Sequence, residues 1–179
     1  MQYLIMRDVN DPNRYHVHEE YSDREAFMEH LETQHFAKWN QFIQDFDPFQ
    51  EVIQVNQYIA RAEKQPVTRE TRSFSDDVRE KYCVSVNLYP KEDCIEEFLN
   101  VINANKLGTD TTESNALQYT YGENYAREQR KNTYHFFEVY NTEQGFKEHA
   151  SMPHFLDWEN FAETDPFTKP PDVFFARVI

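Results

Sequence analysis

The chain has 179 residues, a length typical of one or two domains. Its 32 acidic and 18 basic residues give a formal net charge of −14, which argues against nucleic acid and against an anionic membrane as partners. An aromatic content of 16% provides for a sizeable core, and only three glycines are present, too few for a glycine-rich phosphate loop. Without a membrane-length apolar run or a cysteine framework, the sequence predicts a cytoplasmic protein with reduced thiols.

The sequence contains an internal repeat. Residues 15–42 align without gaps with residues 134–161, and 11 of the 28 positions are identical. The identities include rare residue types, so we interpret the chain as a tandem duplication. The identical pairs are Tyr15/Tyr134, His16/His135, Glu19/Glu138, Tyr21/Tyr140, Phe27/Phe146, Glu29/Glu148, His30/His149, His35/His154, Phe36/Phe155, Trp39/Trp158 and Phe42/Phe161.

The first copy begins on a strand at its N-terminus, followed by an aromatic strand over residues 15–21. Ser22 with Glu25 predicts a helix start, and Thr33 predicts a second helix. A closing strand is expected near residues 50–60. The copy therefore lacks a leading strand and helix. We expect either that these elements were lost from the sequence or that another chain supplies them, as in a homodimer that completes this unit.

The second copy is complete. A strand over residues 82–89 precedes an amphipathic helix that we expect to end at Gly108. Strands follow at 117–125 and 134–140, then a helix capped by Asn141, a break at Pro153 with a new helix, and a closing strand at 172–179. This is the β-α-β-β-α-β order of ferredoxin-like units. The predicted domains are a partial unit at 1–60, a linker at 61–81 and a complete unit at 82–179.

Both copies carry the same motif, namely Glu-x-Tyr ending a strand, Ala/Gly-Phe-x-x-His on a helix, and then His-Phe. It occupies Glu19–Tyr21, Ala26–His30 and His35–Phe36, and again Glu138–Tyr140, Gly145–His149 and His154–Phe155. This motif resembles the antibiotic biosynthesis monooxygenase domain of the dimeric α/β-barrel superfamily. The resemblance implies an α+β fold in which two ferredoxin-like units form a barrel within one polypeptide.

The resemblance leaves the reaction open, since the family includes cofactor-free quinol monooxygenases, haem-degrading enzymes and a signal isomerase. Asn40 and Glu159 stand where the haem-degrading branch has its histidine ligand. The segment 105–109 with His149 and His154 is closest to the quinol monooxygenase and isomerase group, although Lys106 replaces a histidine of the isomerase. We therefore expect a monooxygenase without a cofactor, acting on a small aromatic or quinol-like substrate.

Such a reaction needs an acid–base group beside an apolar pocket. The candidate catalytic residues are His149, His154 and Glu138, with Glu19, His30 and His35 as their equivalents in the first unit. Candidate substrate-binding residues are Tyr140, Tyr121, Asn87, Phe146 and Trp158.

Two alternatives remain open. One is an isomerase of the same superfamily. In the other, the same histidines and glutamates support the fold by pairing with each other, in a structural barrel or one that binds a ligand without catalysis. A metal site is not expected, because His149 and His154 are five positions apart and no further ligand accompanies them in sequence.

Overall fold

A computed structural model describes residues 2–60, 81–125 and 132–179 of the chain. These residues form two compact units, the first made of residues up to 5 and 17–55, and the second of residues 6–16 and those from 56 onward. All but the last residue of the predicted linker at 61–81 lie outside the described residues. The predicted domain boundaries therefore stay a prediction.

The second unit has the predicted β-α-β-β-α-β order. Its strands are antiparallel neighbours in the order β6-β3-β5-β4, so the two middle strands of the sheet are the first and third of the unit. The α+β, ferredoxin-like fold class is thereby confirmed. The elements are β3 (Tyr82–Leu88), α3 (Ile95–Thr112), β4 (Ala116–Glu123), β5 (Tyr134–Tyr140), α4 (Glu143–His149), α5 (Pro153–Ala162) and β6 (Asp172–Val178).

Helix α3 runs four residues past Gly108, so the predicted end at this glycine is wrong. Gly108 is needed for packing instead. A Cβ atom at this position would lie 2.3 Å from Nδ1 of His154, on another helix. The glycine therefore makes room for a histidine ring, and it costs the helix some stability without ending it.

Helices α4 and α5 are separated as the sequence predicts. Pro153 is the first residue of α5, where its missing N–H leaves no hydrogen bond unmade. The cap of α4 lies one residue later than predicted, because the Thr142 hydroxyl, rather than Asn141, accepts a hydrogen bond from the Gly145 N–H at 3.2 Å. In the first unit Asp23 similarly replaces Ser22 as the cap, accepting from Ala26 at 2.8 Å.

An aromatic core fills the space between this sheet and helices α3 and α5. Phe98 of α3 is fully buried, and its ring lies 4.9 Å from that of Tyr134 on β5. On the same side, the ring of Tyr121 stacks on that of Phe136 at 5.1 Å. The buried core residues are Leu88, Phe98, Ile102, Tyr119, Tyr121, Tyr134, Phe136 and Phe161.

The described residues of the first copy form two strands followed by two helices. These are β1 (Gln2–Asp8), β2 (Tyr15–Glu20), α1 (Arg24–Leu31) and α2 (Gln34–Phe46). Within the second unit, Met6 to Asp8 of β1 pair antiparallel with Val178 to Ala176 of β6.

The predicted closing strand near 50–60 is not formed. Only Tyr58 makes a bridge, to Asn124 just beyond the end of β4. The Asn124 side chain replaces ladder hydrogen bonds there, since its carbonyl accepts from the Gln57 N–H at 3.3 Å and its amide donates to Asn56 at 2.9 Å. Among the described residues, no helix has both the length and the apolar composition needed to cross a bilayer.

Candidate active site

Three ionisable side chains converge at the ends of three helices in the second unit. Glu113 follows the last residue of α3, His149 is the last residue of α4, and His154 lies in the first turn of α5. One oxygen of the carboxylate, Glu113 Oε1, lies 2.8 Å from His149 Nδ1 and 2.6 Å from His154 Nε2. The break at Pro153 brings the two histidines together, because residues five apart on a continuous helix would point in different directions.

The side chains of the site are shielded from water, and His149 is shielded more than His154. The side chain of His149 is 1% exposed, whereas that of His154 is 14% exposed. Burial by itself would raise the pKa of Glu113, but hydrogen bonds and positive charge from the two histidines outweigh burial and lower this pKa. Glu113 is therefore held as a carboxylate that accepts hydrogen bonds from both rings.

The partners of His149 indicate which ring nitrogen carries the proton when the ring is neutral. The Thr109 hydroxyl lies 3.4 Å from Nδ1, but it donates its own proton to the Asn105 carbonyl at 2.9 Å. Both groups that face Nδ1, this hydroxyl and the Glu113 carboxylate, therefore accept, so Nδ1 carries the proton. The other nitrogen, Nε2, is buried and has no hydrogen-bond partner among the described residues. In the neutral ring, Nε2 is therefore the nitrogen without a proton.

A second carboxyl group lies beneath His149 on strand β5. Glu138 is buried, and its Oε2 accepts a hydrogen bond from the Tyr140 hydroxyl at 2.7 Å. Burial raises the pKa of Glu138, although the nearby charge of His149 and the Tyr140 hydrogen bond partly oppose the rise. The ring of Tyr140 lies 5.5 Å from that of His149, and the ring of Tyr119 lies 6.2 Å from it. Glu138 and His149, a carboxyl group and an imidazole, thus both lie among aromatic rings.

The remaining predicted binding residues are not part of this cluster. The Tyr121 hydroxyl donates to Asn103, and Asn87 pairs with His135 at 2.9 Å on a neighbouring strand. Phe146 packs on Tyr140 but also on Tyr82 and Phe175, and Trp158 packs in the aromatic core against Phe98 and Phe167. Their contacts are those of packing residues, and their assignment to substrate binding stays a prediction.

The first unit repeats part of the arrangement. The Tyr21 hydroxyl donates to Glu19, and His30 Nε2 lies 3.8 Å from the same carboxylate. The Nδ1 atom of His30 lies 3.3 Å from Nε2 of His35. A carboxylate equivalent to Glu113 does not contact this histidine pair in the contacts between described residues, since the first copy has no counterpart of α3 there. The two units therefore hold their histidines differently.

Sequence reasoning missed Glu113, because this residue lies outside the repeated segments. One signal could have found it. A carboxylate at the C-terminal end of a helix is disfavoured by the helix dipole, so an acidic residue there calls for another source of stabilisation. Glu113 is stabilised by its hydrogen bonds with His149 and His154.

The same three side chains form a group that could bind a metal ion, with ligand atoms all within 4.8 Å of one another. The sequence-based reason for expecting no metal, the lack of a further ligand, is therefore wrong. The distances of 2.8 and 2.6 Å to Glu113 Oε1 match charge-assisted hydrogen bonds. Ligands on a tetrahedral zinc ion would be about 3.3 Å apart, given bonds of about 2.0–2.1 Å. The distances thus fit hydrogen bonds from the two histidines to Glu113 better than ligation of one metal ion by all three side chains.

Comparison with known proteins gives a family and a fold. The family model described as antibiotic biosynthesis monooxygenase matches residues 1–41 and 81–160, more than half of the chain, and confirms the resemblance. A Lactobacillus acidophilus protein, provisionally named a monooxygenase, has 16% identity and a TM-score of 0.69 over 97% of this chain and 76% of its own. A Fusobacterium nucleatum protein with the same provisional name has 17% identity and a TM-score of 0.70 over 98% and 74%. At these identities the two structures establish the fold alone. The search of curated proteins gives no match.

Proposed function

We propose, since the chain belongs to the antibiotic biosynthesis monooxygenase family, that it oxidises a small aromatic or quinol-like substrate with O2 and without a cofactor. His149 is the general base, and Glu113 is the residue that positions it. The reaction takes place in the second unit. We place the protein in the cytoplasm, where thiols such as the free Cys83 and Cys94 stay reduced.

One observation carries the proposal, namely that His149 Nε2 is buried without a partner while Nδ1 is held by Glu113. An unpaired buried nitrogen costs free energy, so it calls for a role beyond packing. A carboxylate that fixes Nδ1–H leaves Nε2 as the base, as in the histidines of hydrolase triads. This arrangement is suited to taking a proton from a substrate.

The chemistry proceeds from that proton transfer. Nε2 takes the proton of a phenolic hydroxyl, and the resulting anion transfers electrons to O2 and forms a carbon–peroxide bond. The imidazolium returns its proton to the peroxide. Cleavage of the O–O bond then releases water and leaves a carbonyl oxygen on the ring, with the second hydrogen of the water coming from the same ring carbon. The substrate loses four electrons, and O2 gains all four.

The neighbouring residues support this step. Glu138, whose pKa is raised by burial, is suited to donate a hydrogen bond to the negatively charged substrate oxygen. His154, which is partly exposed, shares the Glu113 oxygen and links the buried pair to solvent. General-base catalysis of this kind contributes about 10²–10⁴-fold to the rate.

The test measures oxygen consumption with a panel of quinols, using the full chain. We expect His149→Gln to lower kcat about 10²-fold or more while the far-UV circular dichroism is unchanged. The matched control is His30→Gln, which removes the equivalent histidine of the first unit and is expected to leave most of the activity. An active wild type whose rate is unaffected by His149→Gln would overturn the assignment. A wild type that binds quinols without consuming oxygen would favour a ligand-binding protein.

A further inference from the structure

A second buried acceptor in the same unit has no hydrogen-bond donor. In the part of the chain that the structure describes, the buried side-chain atoms without a partner are His149 Nε2 and Asn105 Oδ1. Asn105 lies on α3 and is 2% exposed. Its amide nitrogen Nδ2 donates to the Tyr119 hydroxyl at 3.3 Å, so the carbonyl oxygen alone is left over. A buried acceptor without a donor costs free energy and calls for an explanation.

Packing does not explain why position 105 is an asparagine. Phe98, Ile102 and Asn105 recur at i, i+4 and i+7, so they lie on one face of α3, and all three are buried. The first two are apolar. A leucine at the third position would continue the apolar row and leave no polar atom unpaired. The asparagine therefore indicates a polar role on this face.

Asn105 and His149 lie in the same part of the second unit, because both contact Thr109 and Tyr119. The Thr109 hydroxyl donates to the Asn105 main-chain carbonyl at 2.9 Å and lies 3.4 Å from His149 Nδ1. The Tyr119 hydroxyl accepts from the Asn105 amide, and the Tyr119 ring lies 6.2 Å from the His149 ring. An imidazole nitrogen and a carbonyl oxygen, both acceptors without donors, thus accompany one tyrosine.

We propose that Asn105 Oδ1 accepts a hydrogen bond from a second hydroxyl group of the substrate, an inference that rests on the proposed function of His149. His149 Nε2 takes the proton of the first hydroxyl, whereas the neutral amide oxygen leaves the second hydroxyl protonated. The second unit therefore selects aromatic molecules with two hydroxyl groups over simple phenols. A site built to bind a hydroxyl rejects the analogue that lacks it, because the buried acceptor is then left unpaired.

The test measures binding to the full chain by isothermal titration calorimetry without oxygen, so that no ligand is oxidised. The ligands are the three dihydroxybenzenes, phenol, and the monomethyl ether of the dihydroxybenzene that binds best. We expect that dihydroxybenzene to bind at least about 10-fold more tightly than phenol or the ether, because neither can donate to Asn105. Asn105→Leu should abolish this preference by weakening the binding of the dihydroxybenzene. The control is Asn100→Leu, which changes an exposed asparagine of the same helix and should keep the preference.

Three results would overturn the inference. They are equal binding of phenol and the dihydroxybenzenes by the wild type, a folded Asn105→Leu chain that keeps the preference, and no binding of any dihydroxybenzene. The comparison of ligands on the wild type decides the matter even where circular dichroism shows that Asn105→Leu is unfolded.

Oxygen consumption is a separate measurement that tests the proposed function. A wild type that prefers dihydroxybenzenes through Asn105 but consumes no oxygen would contradict the oxidation and leave the binding role of Asn105 intact. A wild type that oxidises quinols without preferring them to simple phenols would contradict the role of Asn105 alone.

Discussion

His149 Nδ1 donates a hydrogen bond to Glu113 Oε1 at 2.8 Å, across 36 positions of sequence. The bond joins the end of α4 to the residue that follows α3, and it holds the proton of the neutral His149 ring on Nδ1. Among the described residues of the first unit, the contacts of His30 with His35 and Glu19 include no equivalent of this bond. The two copies therefore hold their equivalent histidines differently.

Replacing Glu113 should damage catalysis through His149. We expect Glu113→Gln to lower kcat about 10²-fold with little change in KM, because the glutamine holds the ring without stabilising its positive charge. Steady-state rates measured with quinols check this. Glu159→Gln, an exposed change on α5, is the control, and a Glu113→Gln rate equal to that of the wild type would contradict the role of Glu113.

Gly108 should be required only because His154 lies against it. Gly108→Ala places a methyl group 2.3 Å from the ring, and we expect it to lower the free energy of unfolding by about 1–3 kcal/mol. In a His154→Ala background the same change should raise that free energy by about 0.5–1 kcal/mol, since alanine favours a helix. Urea denaturation of the four proteins in this double-mutant cycle measures both values. A stabilising Gly108→Ala in the presence of His154 would refute the packing argument.

The two buried carboxyl groups should affect stability at acidic pH with opposite signs. The pKa of Glu113 is lowered from 4.5, so its contribution to stability is present above pH 4.5 and is lost as the pH falls through the lowered value. The pKa of Glu138 is raised from 4.5, so its contribution is present below pH 4.5 and is lost as the pH rises through the raised value.

Unfolding free energies measured as a function of pH test these signs. Relative to the wild type, Glu113→Gln should become less destabilised as the pH falls below 4.5. Glu138→Gln should become less destabilised, or even stabilised, as the pH rises above 4.5. Parallel curves for the two variants would show that one of the directions is wrong.

Equivalent phenylalanines of the two copies should differ in their contribution to stability. Phe161→Ala removes a ring that is 6% exposed, and we expect a loss of about 3–5 kcal/mol. Phe42→Ala removes one that is 42% exposed and should cost less than about 1 kcal/mol in the isolated chain. Urea denaturation followed by circular dichroism compares them. Equal losses would mean that Phe42 is as buried in solution as Phe161.

The sequence by itself determined the repeat, the order of the strands and helices, and the break at Pro153. These features depend on local patterns, namely the alternation of a strand, the spacing of an amphipathic helix and the missing N–H of proline. It also selected Glu138, His149 and His154 as candidates, because the same residue types recur in both copies, and their catalytic role stays a prediction. The family followed from the same motif.

Only the tertiary structure decided how these residues are used. Glu113 joins the histidines because the ends of α3 and α4 meet the start of α5 at one place, and no local pattern encodes such a meeting. Gly108 lies inside a helix because a distant ring needs its space, and the expected strand near 50–60 is reduced to one bridge because Asn124 meets it with a side chain. Contacts between segments far apart in sequence fix these outcomes, since each depends on the shape and hydrogen bonding of a partner that the local sequence does not contain.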